Sequence, residues 1–276
     1  VQVLERNPYY WSVDTAGNQL PYIDRIERTL VPDAEALLLK AIAGEVDFQA
    51  RRIASLANRP VVMENAEKGD YRIIEMVFNT ANLGTIFLNY SHPKEELRTL
   101  FLNKNFRLAL SHAIDREEIS ALLFKGLGKP GQVTAGPPYY EEDFWNAHIE
   151  YDPDLANKLL DDLGLTNRDD AGYRLLPSGE RLSLVDLAFT PWPPDNVDMQ
   201  ELVKQYWANI GIELVVKPTE RQLWVTRVQA ADFDVASYAQ DWGGYGWPPI
   251  TRHAFGVNAR EYWGVMWSLW YASNGA

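Results

Sequence analysis

From residue 182 to residue 240 the chain alternates between short runs of strand character and stretches of helical spacing, and no other feature constrains the fold as much. Residues 182–189 read as a strand. Met199, Leu202, Val203, Tyr206 and Ile210 then share one helical face, and Gly211 stops that helix. Ile212, Leu214 and Val216 form a second strand, which leads into a helix capped by Thr219 with Gln222 three residues on. Phe233 and Val235 open a third strand. Strand–helix–strand units at this spacing favour a parallel sheet with helices laid on its faces. The expected class is α/β.

The remainder is less regular. Asn7-Pro8-Tyr9-Tyr10-Trp11 is an aromatic turn, because Pro8 fixes its own φ and biases Asn7 towards extended backbone. Ile23, Ile26 and Leu30 suggest a strand ending at Pro32. Asp33 caps a helix carrying Leu37, Leu38, Ala41 and Ile42, which Gly44 ends. Residues 71–78 and 85–89 read as two strands, followed by a polar connection, Ser91-His92-Pro93-Lys94-Glu95-Glu96. Phe106, Ala109, Leu110, Ala113 and Ile114 then make one apolar stripe, and Asp115 with Glu118 forms a capping-box pattern for the next helix. Residues 127–150 look irregular, and a loop of that length is usually functional or disordered. Asp152-Pro153 opens a helix by a cap and an N1 proline.

Composition removes several functions. A net charge of −12 without a basic cluster argues against nucleic acid, whose phosphates must be met by Lys and Arg. The absence of cysteine rules out disulfides, thiolate metal sites and cysteine nucleophiles. No apolar run approaches the ~20 residues that span a bilayer. His92, His112, His148 and His253 are dispersed and match no metal-binding spacing, and a packed or half-exposed role explains His112. No nucleophile elbow is present, and Gly243-Gly244-Tyr245-Gly246 lacks the Lys-Ser/Thr of a phosphate loop. Acidic pairs such as Asp161-Asp162 and Asp169-Asp170 read as solvated faces or caps. Neither a metal nor a cofactor is expected.

Tryptophan is unevenly placed: eight of the ten lie after residue 190. Trp207 and Trp224 occupy helical positions and belong to a core. Trp242 and Trp247 follow the third strand in a Gly-rich segment, where α/β folds place ligand loops.

Six segments, in order, resemble the family-5 solute-binding proteins of bacterial and archaeal ABC importers, which bind dipeptides, oligopeptides or nickel. They are residues 6–11 (Arg-Asn-Pro-Tyr-Tyr-Trp), 43–47 (Ala-Gly-Glu-Val-Asp), 105–116 (through Arg107, Ala109, Ala113, Ile114, Asp115 and Arg116), 151–160, 207–212 and 233–236 (Phe-Asp-Val-Ala). The resemblance implies a type II periplasmic-binding-protein fold of two lobes, with part of lobe I in residues 1–91 and most of lobe II in 92–276. It also implies that the chain lacks much of the first lobe, a signal peptide and the C-terminal return. A peptide would lie between closing lobes hinged near residues 89–93. The strand Ser237-Tyr238-Ala239-Gln240 would supply backbone hydrogen bonds, and Asp241 would hold the ligand's ammonium, although it stands about two residues early and Gly243 takes the family position. Asn89, Tyr140 and Trp242 complete the implied ligand-binding set. The implied protein is extracytoplasmic, monomeric and not an enzyme, and it delivers a peptide or similar solute to an ABC permease. An oligosaccharide ligand on the same fold is the alternative, supported by Trp242 and Trp247. A glycoside hydrolase is the rival from another class.

Overall fold

The computed structural model describes residues 1–49, 53, 55–74, 80–132, 142–190, 195–241 and 262–275. The chain separates into two compact units, Val1–Glu75 and Met76–Ala276. The boundary between these units falls before the strand at 80–88, which is hydrogen-bonded into the sheet of the second unit.

In the first unit, β1 (Gln2–Glu5) and β2 (Arg25–Arg28) form an antiparallel pair running from Gln2 opposite Arg28 to Glu5 opposite Arg25. Asp14 organises the intervening loop: Oδ1 accepts the Ala16 and Asn18 amides, and Oδ2 accepts the Tyr22 hydroxyl at 2.7 Å. Helices α1 (Ala34–Ile42) and α2 (Arg59–Glu64) follow. Asp33 caps α1 by accepting the Ala36 N–H at 2.8 Å, as its sequence position requires. Residues 71–74 do not form a strand, and the rest of the expected 71–78 strand lies outside the described residues.

The second unit contains β3 (Thr80–Leu88), α3 (Glu95–Leu102), α4 (Lys104–His112), α5 (Arg116–Phe124), α6 (Glu142–Trp145), α7 (Pro153–Asp162), β4 (Ser183–Thr190), α8 (Asn196–Asn209), β5 (Glu213–Glu220), α9 (Arg221–Gln229), β6 (Val235–Asp241) and α10 (Val265–Ala272). The sheet order is β3-β6-β4-β5, with β4 parallel to both neighbours and β3 antiparallel to β6. The α/β class is therefore realised in a mixed sheet. Strand β5 lies on one side of β4 and β6 on the other, so the direction of winding reverses at β4.

The period-2 alternation of the strands sorts their side chains onto two faces. Leu184, Leu214 and Val235 point to one core, with Phe106, Leu110, Leu160, Val203 and Trp207 from the helices. Leu187, Phe189 and Ala236 point to the other, with Trp224 and Val228 of α9, Tyr262 and Val265. Trp207 and Trp224 are both core residues, and each indole N–H reaches a carbonyl, of Leu110 and Leu187 respectively. Asp115 and Asp152 cap α5 and α7 through the Glu118 and Leu155 amides. The cap of α9 is Glu220 and not Thr219: the Glu220 carboxylate accepts the Gln222 N–H, while the Thr219 hydroxyl turns back to the Lys217 carbonyl. The stretch at 127–150 also contains the one-turn α6, which ties back through Trp145 Nε1 to the Pro130 carbonyl.

Arg174, 1% exposed, joins the layers. Its guanidinium donates to the carbonyls of Leu165 and Ile210, to Asn157 Oδ1 and to Asp161. Removing it strands several buried acceptors, so Arg174→Leu is expected to lower unfolding stability by about 3 kcal/mol. Asp161 is half-exposed, and Asp161→Asn is expected to cost less than about 1 kcal/mol. Urea unfolding of both variants checks the contrast.

Candidate functional site

In parallel α/β sheets ligands gather at the carboxyl ends of the strands, at the point where the winding reverses. Here that point lies between β4 and β6. Their ladder runs only from Asp186 opposite Val235 to Ala188 opposite Ser237. Beyond it β4 continues to Thr190 along β5, and β6 continues to Asp241 along β3. The two central strands part at their carboxyl ends and open the sheet there. The segments that follow, 191–194 and 242–261, lie outside the described residues.

Polar side chains fill the fork from the α8 side. Asn196, wholly buried at the first turn of α8, donates through Nδ2 to the Phe189 carbonyl at 3.0 Å and to the Ser237 carbonyl and hydroxyl at 3.3 Å. It thereby bridges the two strands where their ladder ends. The Ser237 hydroxyl donates to Asp186 Oδ2 at 2.9 Å. One turn along α8, Gln200 is 1% exposed, and among the described residues neither of its amide atoms has a partner, nor do Asp186 Oδ1 and Asn196 Oδ1. Burial pushes the Asp186 carboxyl up to about 7, against the pull of its bond from Ser237.

On the opposite face an aromatic cluster backs the same strand ends. Tyr238 and Phe189 meet edge-on at 4.7 Å, Trp224 and Tyr262 at 4.8 Å, and Phe87 and Tyr262 at 5.0 Å. Between β3, α4, α5, α8 and the turn at 128–132 lies a cavity of about 590 Å³, within the usual range of small-ligand sites.

The structure brings some of the sequence candidates together. Ser237, Tyr238 and Ala239 lie on β6 at the fork; Ser237 and Ala239 are fully buried, and Tyr238 is partly buried among the aromatics. Gln240 pairs in register with Asn82 and Asp241 with Thr80, but their side chains, like all of Tyr140 and Trp242, lie outside the described residues. Asn89 is wholly buried and used internally. Its Nδ2 donates to the Ala231 and Phe233 carbonyls at 2.9 and 2.8 Å, and its Oδ1 accepts the Ser91 N–H. The side chain thus fixes the exit of β3 to the entry of β6. Sequence reasoning passed over Asp186, Asn196 and Gln200. A carboxylate inside an otherwise apolar strand was the available signal for the first; Asn196 and Gln200 resemble any polar helix positions until α8 is laid on the sheet.

Among the described residues no cluster of three or more His, Asp or Glu forms that could hold a metal ion, and no helix is long and apolar enough to cross a membrane.

The family model for bacterial extracellular solute-binding proteins, family 5 (middle region), matches residues 1–261. A periplasmic alpha-galactoside-binding protein of Rhizobium meliloti is 32% identical over 194 residues, 64% of this chain and 27% of that protein. The oligopeptide-binding protein AppA of Bacillus subtilis is 24% identical over 225 residues, 80% of this chain and 38% of that one. A solved oligopeptide-binding protein OppA is 38% identical with a TM-score of 0.68, covering 99% of this chain and 45% of its own. The chain therefore spans less than half the length of each of these proteins.

The raised Asp186 value has a sign. A carboxyl that holds its proton more tightly when folded favours the folded state below the unfolded value near 3.8, and that advantage is lost as pH rises towards 7. Asp186→Asn removes this dependence. The stability of the variant relative to the native chain is expected to rise steadily from pH 4.5 to 7.5 and then level off, as urea unfolding across that range would show.

Proposed function

This chain belongs to the bacterial extracellular solute-binding proteins of family 5, and on that premise we propose that it is the solute-capturing part of an ABC importer. It works outside the cytoplasmic membrane as a monomer, binds a short peptide or similar solute between two lobes, and hands it to a membrane permease. It performs no chemistry on the solute. The observation that carries this reading is the parting of β4 and β6: an extended strand, β6, leaves its parallel neighbour after Ser237 at the ligand end of the sheet. A peptide laid there gains main-chain hydrogen bonds from backbone and selectivity from side-chain pockets. Asp241, the last residue of that strand, is the proposed partner of a ligand ammonium, which needs a paired anion once desolvated.

A second reading keeps the fold and changes the solute to an oligosaccharide. One observation favours it: the 32% identity to an alpha-galactoside binder.

Native mass spectrometry of the protein, purified without refolding and then incubated with mixed peptides or with alpha-galactosides, separates the two. Adduct masses that decompose into amino-acid residues are the expected result. Hexose-spaced adducts would transfer the assignment to sugar, and a protein that takes up neither would refute solute capture.

A further inference from the structure

On the α8 side of the sheet, buried polar atoms lack a hydrogen-bond partner among the described residues: Asp186 Oδ1, Asn196 Oδ1 and both amide atoms of Gln200. Their side chains form one group. Asp186 and Asn196 meet at the Ser237 hydroxyl, which donates to Asp186 Oδ2 at 2.9 Å and accepts from Asn196 Nδ2 at 3.3 Å. Gln200 follows Asn196 by one turn of α8, on the same face. Thr85 Oγ1 is also unpaired, but Thr85 stands opposite Tyr238 and so faces the aromatic side of the sheet.

Donors and acceptors in this group do not balance. The unpaired atoms are three oxygens and one nitrogen, and an ionised Asp186 can only accept. Asn196 has no hydrogen to spare, because its Nδ2 already serves the Phe189 and Ser237 carbonyls. A single proton on Asp186 Oδ1 corrects the deficit by turning a surplus acceptor into a donor for an amide oxygen of α8. The sheet neighbours of Asp186 are apolar, Val216 on β5 and Val235 on β6. The charged residues on the elements packed around it are Asp195, Asp198, Glu201 and Lys204 of α8, Glu213, Lys217 and Glu220 of β5, and Asp234 before β6. None of them acts on the Asp186 carboxyl, whose rise to about 7 comes from burial, opposed by the bond from Ser237.

We propose that Asp186 is a proton-operated latch on the fork between β4 and β6. Neutral, it joins β4 to β6 through Ser237 and to α8 through an amide oxygen. Ionised, it is a buried charge without a counter-ion, and its cost falls where the ladder between the two strands is only three residue pairs long. The latch is therefore fully closed below the ordinary carboxylate value near 3.8, and it loses its advantage as pH rises to about 7. It belongs to the sheet itself and is independent of which solute binds.

Amide hydrogen exchange of the whole 276-residue chain, followed by NMR, tests the latch against Asp186→Asn, whose side-chain amide supplies the missing donor at every pH. For residues 196–200 and 237–239, the ratio of native to variant exchange rates is expected to rise about tenfold or more from pH 5 to 7.5 and then level off. Amides of α4 and α7 are expected to change less, because the latch acts locally. Equal changes in both regions would overturn it, since Asp186 would then affect global stability alone. An Asp186 carboxyl-carbon signal that titrates near 4 would also overturn it. Ser237→Ala provides a second check should Asp186→Asn fail to fold. Loss of the pH step at 237–239 with its retention at 196–200 supports the latch, and an unchanged step at 237–239 refutes it. Protection restored at pH 8 by sodium chloride but not by choline chloride would replace the proton with an alkali cation held by the same oxygens.

Discussion

The second unit is organised around one side chain, Asp234, at the entry to β6. Its Oδ2 accepts the Val185 N–H of β4 at 2.8 Å, its Oδ1 accepts from His92 Nε2 at 2.8 Å, and its main-chain carbonyl accepts the Asn89 N–H at 3.1 Å. The Lys94 amide donates to His92 Nδ1, so the ring hydrogen sits on Nε2 and is directed at the carboxylate. Three strands and the connector leaving β3 are thus held at one point. Asn89 reinforces the joint through the Ala231 and Phe233 carbonyls. Because β3 is antiparallel to β6, this clamp at the amino end of β6 sets a register that holds from Leu88 opposite Val235 to Thr85 opposite Tyr238, beyond which the pairing shifts.

The contrast between the two ends of the sheet is where structure meets function. At the Asp234 end each carboxylate oxygen has a donor. At the fork, Asp186, Asn196 and Gln200 leave oxygen or nitrogen atoms without a partner among the described residues, an arrangement that costs stability. Such cost concentrates where groups are arranged for something other than folding. The fork, the aromatic cluster behind it and the cavity beside β3 all belong to the same unit, so the surface that would meet a solute is built on strands and helices already fixed by the two cores.

Much of this was legible in the sequence. The caps Asp33, Asp115 and Asp152 act as their positions require, since a cap is a local interaction between a side chain and an amide two or three residues on. Helical spacing around Phe106 and Val203 marked the buried faces for the same local reason, whereas in α7 the expected stripe of Leu155, Leu159 and Leu163 is only half-buried and Ala156 and Leu160 are the buried pair. Thr219 failed as a cap because the strand runs one residue further, to Glu220, and hydrogen bonding to β4 decides where a strand ends. Asn89 appeared as a ligand candidate from resemblance, whereas its amide closes a joint with carbonyls more than 140 residues away.

The sequence by itself determined what rests on neighbours along the chain: the helices, most of their caps, the strand–helix alternation and the exclusion of thiol chemistry. The order of the strands, the antiparallel insertion of β3 beside β6, the fork after Ser237 and the gathering of Asp186, Asn196 and Gln200 beneath it were decided by tertiary structure. These depend on contacts between segments tens to hundreds of residues apart. Periodicity reports which face of an element is buried, but not which other element buries it.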